Sequence, residues 1–180
     1  MEQLFWGKVN VYQATSFFYY RKGSVYKQLL YELKYKGGKK LGRQVASVMA
    51  REINLTSSFF NTIDLLVPVP LHPDKKRSRG YNQSEWIAKG ISDVTQIPID
   101  SENLIRVRFT ETQTAKSIWD RQENIDKAFA LVNPKHFQNK HILLIDDVVT
   151  TGATLSACAG VLSVVPGIKL SFLTLAQVEH

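Results

Sequence analysis

The stretch at 141–154, His-Ile-Leu-Leu-Ile-Asp-Asp-Val-Val-Thr-Thr-Gly-Ala-Thr, constrains the fold of this 180-residue chain more than any other. Its four consecutive apolar residues, Ile142, Leu143, Leu144 and Ile145, are too few for a helix of their own. They read as a strand buried on both faces, the habit of a parallel sheet. Asp146 and Asp147 follow at once, then a loop of small and hydroxyl residues. Leu155, Ala159, Leu162 and Val165 recur at helical spacing, so a helix is expected from about Thr154. Strand, acidic pair, Thr/Gly loop and helix place the loop at the carboxyl end of a strand, where open α/β sheets bind their ligands.

The residue types suit a particular guest. Gly152 lacks a Cβ, so backbone N–H groups can close around an anion. Thr150, Thr151 and Thr154 add hydroxyl donors, and the helix N-terminus adds the positive end of its dipole. Phosphate is the expected occupant. Adjacent carboxylates stay ionised together only among donors or beside a cation. Ribose hydroxyls are such donors and a divalent cation is another, so the whole describes a ribose-5-phosphate site. A Walker B strand is the rival reading, but no G-x-x-x-x-G-K-[ST] occurs in the chain.

The pattern of strand, loop and helix recurs upstream. Residues 63–70, Ile-Asp-Leu-Leu-Val-Pro-Val-Pro, read as a second buried strand stopped by its prolines. A basic loop carrying Lys75, Lys76, Arg77 and Arg79 follows, with a helix from about Asn82 whose inner side is Trp86, Ile87, Ile91 and Val94. Four positive charges at a strand end suit pyrophosphate. His72 is read as a loop residue. Further helices are expected at 24–35, capped by Ser24, and at 41–53, with Val45, Val48 and Met49 inward. Between them lies a glycine-rich turn with Lys36, Lys39, Lys40 and Arg43. Strands are expected at 17–20, 104–108 and 168–178. The polar segment 109–129 has little apolar periodicity and reads as either a functional lid or a poorly ordered stretch.

Composition narrows the classes. A net charge of +7 favours anionic partners, either phosphorylated small molecules or nucleic acid. The single cysteine, Cys158, excludes an internal disulfide and a cysteine-built metal cage, and reads as a small buried hydrophobe. No apolar run reaches membrane-spanning length and the N-terminus has no signal-peptide pattern, so a cytoplasmic protein without a membrane partner is expected. Without repeats or linkers, residues 1–180 read as one domain.

The 141–154 stretch resembles the phosphoribosyl pyrophosphate (PRPP) signature of type I phosphoribosyltransferases. Together with Val67-Pro-Val-Pro-Leu-His72, Arg79-Gly-Tyr-Asn-Gln83, Thr110, Gln113, Arg121, Asn124 and Ala128-Phe129, it resembles the ComF family of competence-associated proteins. More distantly the chain is similar to the phosphoribosyl half of amidophosphoribosyltransferase. The resemblance implies an α/β type I phosphoribosyltransferase fold: a central, mainly parallel sheet flanked by helices, a mobile lid and a small hood. It implies transfer of ribose-5-phosphate from PRPP to an acceptor with release of pyrophosphate. Asp146, Asp147 and Arg121 are then the catalytic residues. Val149, Thr150, Thr151, Gly152, Ala153 and Thr154 hold the 5′-phosphate, and Pro70, Leu71, Arg79 and Gly80 hold pyrophosphate. Mg²⁺ is the implied cofactor, on Asp146 and Asp147 directly or through water.

The family name implies a role in natural competence and DNA uptake. An alternative is therefore a non-enzymatic module that binds single-stranded DNA or a competence helicase, with PRPP as regulator or vestige. Two departures stand out. The four-cysteine zinc ribbon common at the N-terminus of the family is absent from this chain, so no zinc is expected. No N-terminal cysteine nucleophile is present, so a glutaminase half-reaction is not expected.

Overall fold

A computed structural model describes residues 1–21, 26–35, 38–107 and 128–178, with the backbone alone at 26 and 27. Four strands, β1 (Gln13–Tyr20), β2 (Leu65–Pro68), β5 (His141–Val149) and β6 (Lys169–Val178), form an all-parallel sheet in the order β1-β6-β5-β2. A separate antiparallel pair is made by β3 (Leu104–Arg106) and β4 (Phe129–Leu131). The helices are α1 (Tyr26–Tyr35), α2 (Lys39–Thr56), α3 (Pro73–Arg79), α4 (Gln83–Thr95) and α5 (Ala153–Leu162). The chain is thus α/β, with a central parallel sheet flanked by helices.

The alternation along β5 decides the layering. Ile142 and Leu144 join Phe5, Val67, Phe172, Leu155 and Cys158 in one apolar core, on the α5 side. Leu143 and Ile145 join Leu66, Leu173, Met49, Ile87 and Ile91 in the other, beneath α4 and α2. All four apolar residues of β5 are fully buried, which a strand covered on both faces requires. Cys158 is a buried free thiol within α5, as expected.

Several expectations shift. The strand at 142–145 continues through both aspartates to Val149, because Asp146 and Val148 still pair with Thr174 and Ala176 of β6. The upstream strand is shorter than 63–70: Pro68 ends the ladder on this edge strand, where a missing N–H costs least. The strand expected at 17–20 begins at Gln13. Residues 73–79 form a helix and not a loop. Pro73 fits the first helical turn, His72 Nδ1 accepts from the Asp74 N–H at 3.3 Å, and Gly80 ends α3 at φ 79°. Lys39, Lys40 and Arg43 belong to α2, where Arg43 makes a two-pronged contact with Asp93 at 2.6 and 2.7 Å. Val48 faces solvent, 53% exposed, while Ala46, Met49 and Ala50 carry the buried stripe. Ser24, Lys36, Thr110, Gln113, Arg121 and Asn124, and with them nearly all of the expected lid, lie outside the described residues.

Candidate functional site

The site is built at the carboxyl end of β5. Consecutive strand residues point to opposite faces, so the acidic pair is split between two environments. Asp146 is half-buried and lines a cavity of about 50 Å³ whose other walls include Val149, Thr150, Thr151, Gly152, Ala153 and Thr154. Room for one water takes roughly 10–15 Å³, so this space admits a group of phosphate size. All six residues expected at the 5′-phosphate are therefore brought together, with Asp146 on the rim.

Gly152 makes the loop possible. It sits at φ 79°, in the left-handed region, immediately before α5. A Cβ there would come within 2.8 Å of the Phe5 ring, which is buried and meets Phe172 edge-on at 4.6 Å. The N-terminal 3₁₀ turn (Glu2–Phe5) thus supports the cradle from below. Gly152→Ala would combine a strained dihedral with that clash. The expected result is a loss of about 1–3 kcal/mol of stability, read from chemical denaturation. Loss of phosphate-ester binding should accompany it, read by calorimetry.

Asp147 is buried and turned to the other face. Its Oδ2 accepts from Lys34 Nζ at 3.2 Å and from Gln83 Nε2 at 3.1 Å, and its Oδ1 from the Val148 N–H at 2.8 Å. The joint grip of both acids on one ligand, expected from the sequence, is not the arrangement seen: Asp147 is engaged with a cation from α1. Asp146 Oδ1 accepts from Ser84 Oγ at 3.1 Å and from the Asp147 N–H at 2.9 Å. Burial, and then the neighbouring Asp147 charge, push the Asp146 carboxyl up to about 8. Asp146 is thus met by hydroxyl and amide donors, whereas Asp147 has the Lys34 ammonium as a direct partner.

The basic helix α3 divides two further cavities. On one side a cleft of about 360 Å³ is lined by Pro70, Leu71, Lys76, Arg77 and, from β3, Arg106. On the other a space of about 380 Å³ holds Lys34, Tyr35, Lys75 and Arg79. The four residues expected at pyrophosphate are therefore separated. Pro70 and Leu71 face the first cleft. Arg79 faces the second, bonded to Gln83 and 5.5 Å from the Tyr35 ring. Gly80 serves as the turn that ends α3.

Sequence reasoning gave no role to Lys34, Ser84, Phe5 or Arg106. The N-cap pattern at Asn82 could have flagged Ser84, since Asn82 Oδ1 accepts from the Ser84 N–H and fixes the first turn of α4 beneath the acids. Lys34 and Phe5 carry no local signal, because both arrive through tertiary packing.

No protein-family model matches the chain. It is homologous to proteins named for competence and DNA utilization. It is 32% identical over 136 residues to the DNA utilization protein YhgH of Salmonella typhimurium, covering 74% of this chain and 59% of that protein. It is 37% identical over 94 residues to Competence protein F of Haemophilus influenzae, covering 52% and 41%. It is 30% identical over 98 residues to competence protein ComFC of Bacillus subtilis, covering 53% and 36%. The matches thus span 59% or less of these relatives' own lengths.

Among solved structures, the chain is similar to an allosteric regulatory enzyme of purine biosynthesis, at 17% identity and a TM-score of 0.45, covering 72% of this chain and 25% of that one. It is also similar to a hypoxanthine phosphoribosyl transferase of Trypanosoma cruzi, at 12% identity and a TM-score of 0.42, covering 84% and 76%. Among the described residues, no helix is long and apolar enough to cross a membrane.

Proposed function

We propose that this homologue of the competence and DNA-utilization proteins binds PRPP and transfers its ribose-5-phosphate to an acceptor, releasing pyrophosphate. One observation carries the reading: the half-buried Asp146 carboxyl opens onto the same small cavity as the Gly152 turn and the N-terminus of α5. A phosphate would sit against the first-turn N–H groups of α5, which have no intrahelical partner. The ribose hydroxyls would lie against Asp146, and the diphosphate would extend toward Pro70 and Leu71.

Asp147, held by Lys34 and Gln83, would act as a fixed negative charge behind Asp146. It would favour the positive charge that builds on the sugar ring as the bond to pyrophosphate lengthens. Mg²⁺ suits this donor set. No cluster of three or more acidic, His or Cys side chains that could cage a metal occurs among the described residues. Mg²⁺ however binds through one or two carboxylates together with substrate phosphates. Asp146, together with the substrate phosphates, would hold it, with Asp147 as the fixed charge behind, and it would offset charge on the leaving group.

Calorimetric titration of PRPP with Mg²⁺ tests the reading. Wild type should bind, and Asp146→Ala should weaken binding at least tenfold. Absence of heat with wild type, or equal heat with the variant, would sink it. Pyrophosphate release with a panel of bases and amines would then identify the acceptor.

A second reading, single-stranded DNA binding, is favoured by one feature. Tyr31 and Tyr35 are 50% and 63% exposed, their ring centroids lie 4.9 Å apart at a 40° tilt, and the Arg79 guanidinium lies over Tyr35. Exposed aromatics flanked by cations are the usual platform for unpaired bases. Binding should weaken with salt with a log–log slope of about −0.7 per phosphate contact. Tyr35→Ala should weaken it about tenfold at fixed salt. A flat salt response would remove this reading.

A further inference from the structure

We propose that Arg106 is a further residue of the transfer site, the cation that receives the pyrophosphate as it leaves. The inference rests on the phosphoribosyl reading given above. Arg106 ends β3 and lines the cleft with Pro70 and Leu71. The cleft has three cationic side chains, and they differ in their engagements. Lys76 Nζ is bonded to Glu85 at 2.9 Å. Arg77, on the exposed face of α3, stands 4.0 Å from Asp74. Arg106 has no carboxylate partner among the described residues. Its guanidinium lies 5.3 Å from the ring centroid of Phe129, a side chain that is itself 5% exposed. A half-buried guanidinium laid over an aromatic face keeps its in-plane N–H donors free for an oxyanion, and its planar fork matches a phosphate edge.

Arg106 is also on the correct side of the sheet. Leu104 and Phe129 pack into the core shared with Cys158 and Leu155, beneath the phosphate cradle. A sugar phosphate with its 5′-phosphate at Gly152 and its hydroxyls at Asp146 would send its diphosphate toward the Pro70–Leu71 wall, within the field of Arg106. In the transfer the acceptor's lone pair forms the new bond to C1, while the C1–O bond breaks and its electron pair leaves on pyrophosphate, and the acceptor's N–H proton passes to the released pyrophosphate or to solvent. Arg106 exchanges no proton in this step. It stabilises charge that grows as the bond breaks.

Full-length protein is titrated with inorganic pyrophosphate and, separately, with ribose 5-phosphate, in the presence of Mg²⁺. Arg106→Ala should weaken pyrophosphate about tenfold or more and leave ribose 5-phosphate unchanged. Arg106→Lys, which keeps the charge and loses the fork, should fall between. Equal weakening of both ligands would show a merely structural role and overturn the inference, as would loss of pyrophosphate binding in Arg79→Ala but not in Arg106→Ala. If wild type binds ribose 5-phosphate but not pyrophosphate, the inference fails and the sugar-phosphate cradle stands. If it binds neither, the cradle reading fails first and the inference with it. Melting temperatures of the variants separate misfolding from lost contact.

Discussion

Asp146→Asn should make the protein more stable at pH 8 while abolishing its binding of sugar phosphates. The reason is the position of the carboxyl, half-buried beside Asp147 and pushed up to about 8 by burial first and by its neighbour second. Its folded value lies above its unfolded value near 4. As pH rises past 4 the unfolded chain gives up this proton and the folded chain keeps it. The folded state then binds more protons, and stability falls between about pH 4 and pH 8. Asparagine has no proton to keep, so the slope contributed by this group should vanish. The variant should gain on the order of a few kcal/mol at pH 8, read from urea denaturation at several pH values. An unchanged slope would mean that Asp146 is ionised in the folded protein.

The same displacement predicts how ligands depend on pH. A hydroxyl-bearing or cationic ligand at Asp146 favours the ionised acid. Binding near neutrality should therefore release about one proton and tighten with rising pH up to about 8. The order of events is a stability cost in the empty protein that binding offsets, a common state for an active-site group.

The sheet was largely legible because its signals are local. The apolar runs of β5 and β2 fixed strand type without reference to the rest of the chain, but not the strand ends, since β5 runs on to Val149 and β2 stops at Pro68. The cradle was legible for the same reason, since Gly152, its threonines and the helix start lie within one turn of sequence. What sequence missed was long-range. Period-two alternation already implies that Asp146 and Asp147 face opposite ways, yet it applies only if the strand persists through them. That persistence comes from pairing with β6. Residues 73–79 hid a helix because a cap of His72, Pro73 and Gly80 outweighs a run of like charges. Arg79 was expected with Pro70 and Leu71, but the helix rotates it to the opposite side. Lys34 arrives from a helix far away in sequence, and nothing in its neighbourhood foretells a buried carboxylate.

Gly90→Ala should be among the most damaging single-methyl additions in the molecule, although it lies far from the cradle. Helix α4 crosses α2 at this glycine. A Cβ at position 90 would stand 2.2 Å from the Arg43 carbonyl oxygen and 2.8 Å from the Ala46 Cβ. Both obstacles belong to rigid helix, so α2 must move. Alanine gains roughly 1 kcal/mol of helix propensity over glycine, but overpacking against backbone costs more. A net loss of about 2–4 kcal/mol is expected, a fall of about 5–15 °C in melting temperature for a domain of this size. The Ser47 hydroxyl, which donates to the Arg43 and Gly90 carbonyls at 2.9 and 3.0 Å, would lose one or both partners. The consequence reaches the site because the first turn of α4 carries Gln83 and Ser84, the donors to Asp147 and Asp146. Binding of PRPP should therefore weaken along with stability. Ala46→Gly removes only the softer of the two clashes, so the double variant should recover little. Full recovery would show that side-chain crowding, and not the close approach of the two backbones, sets the spacing of α2 and α4.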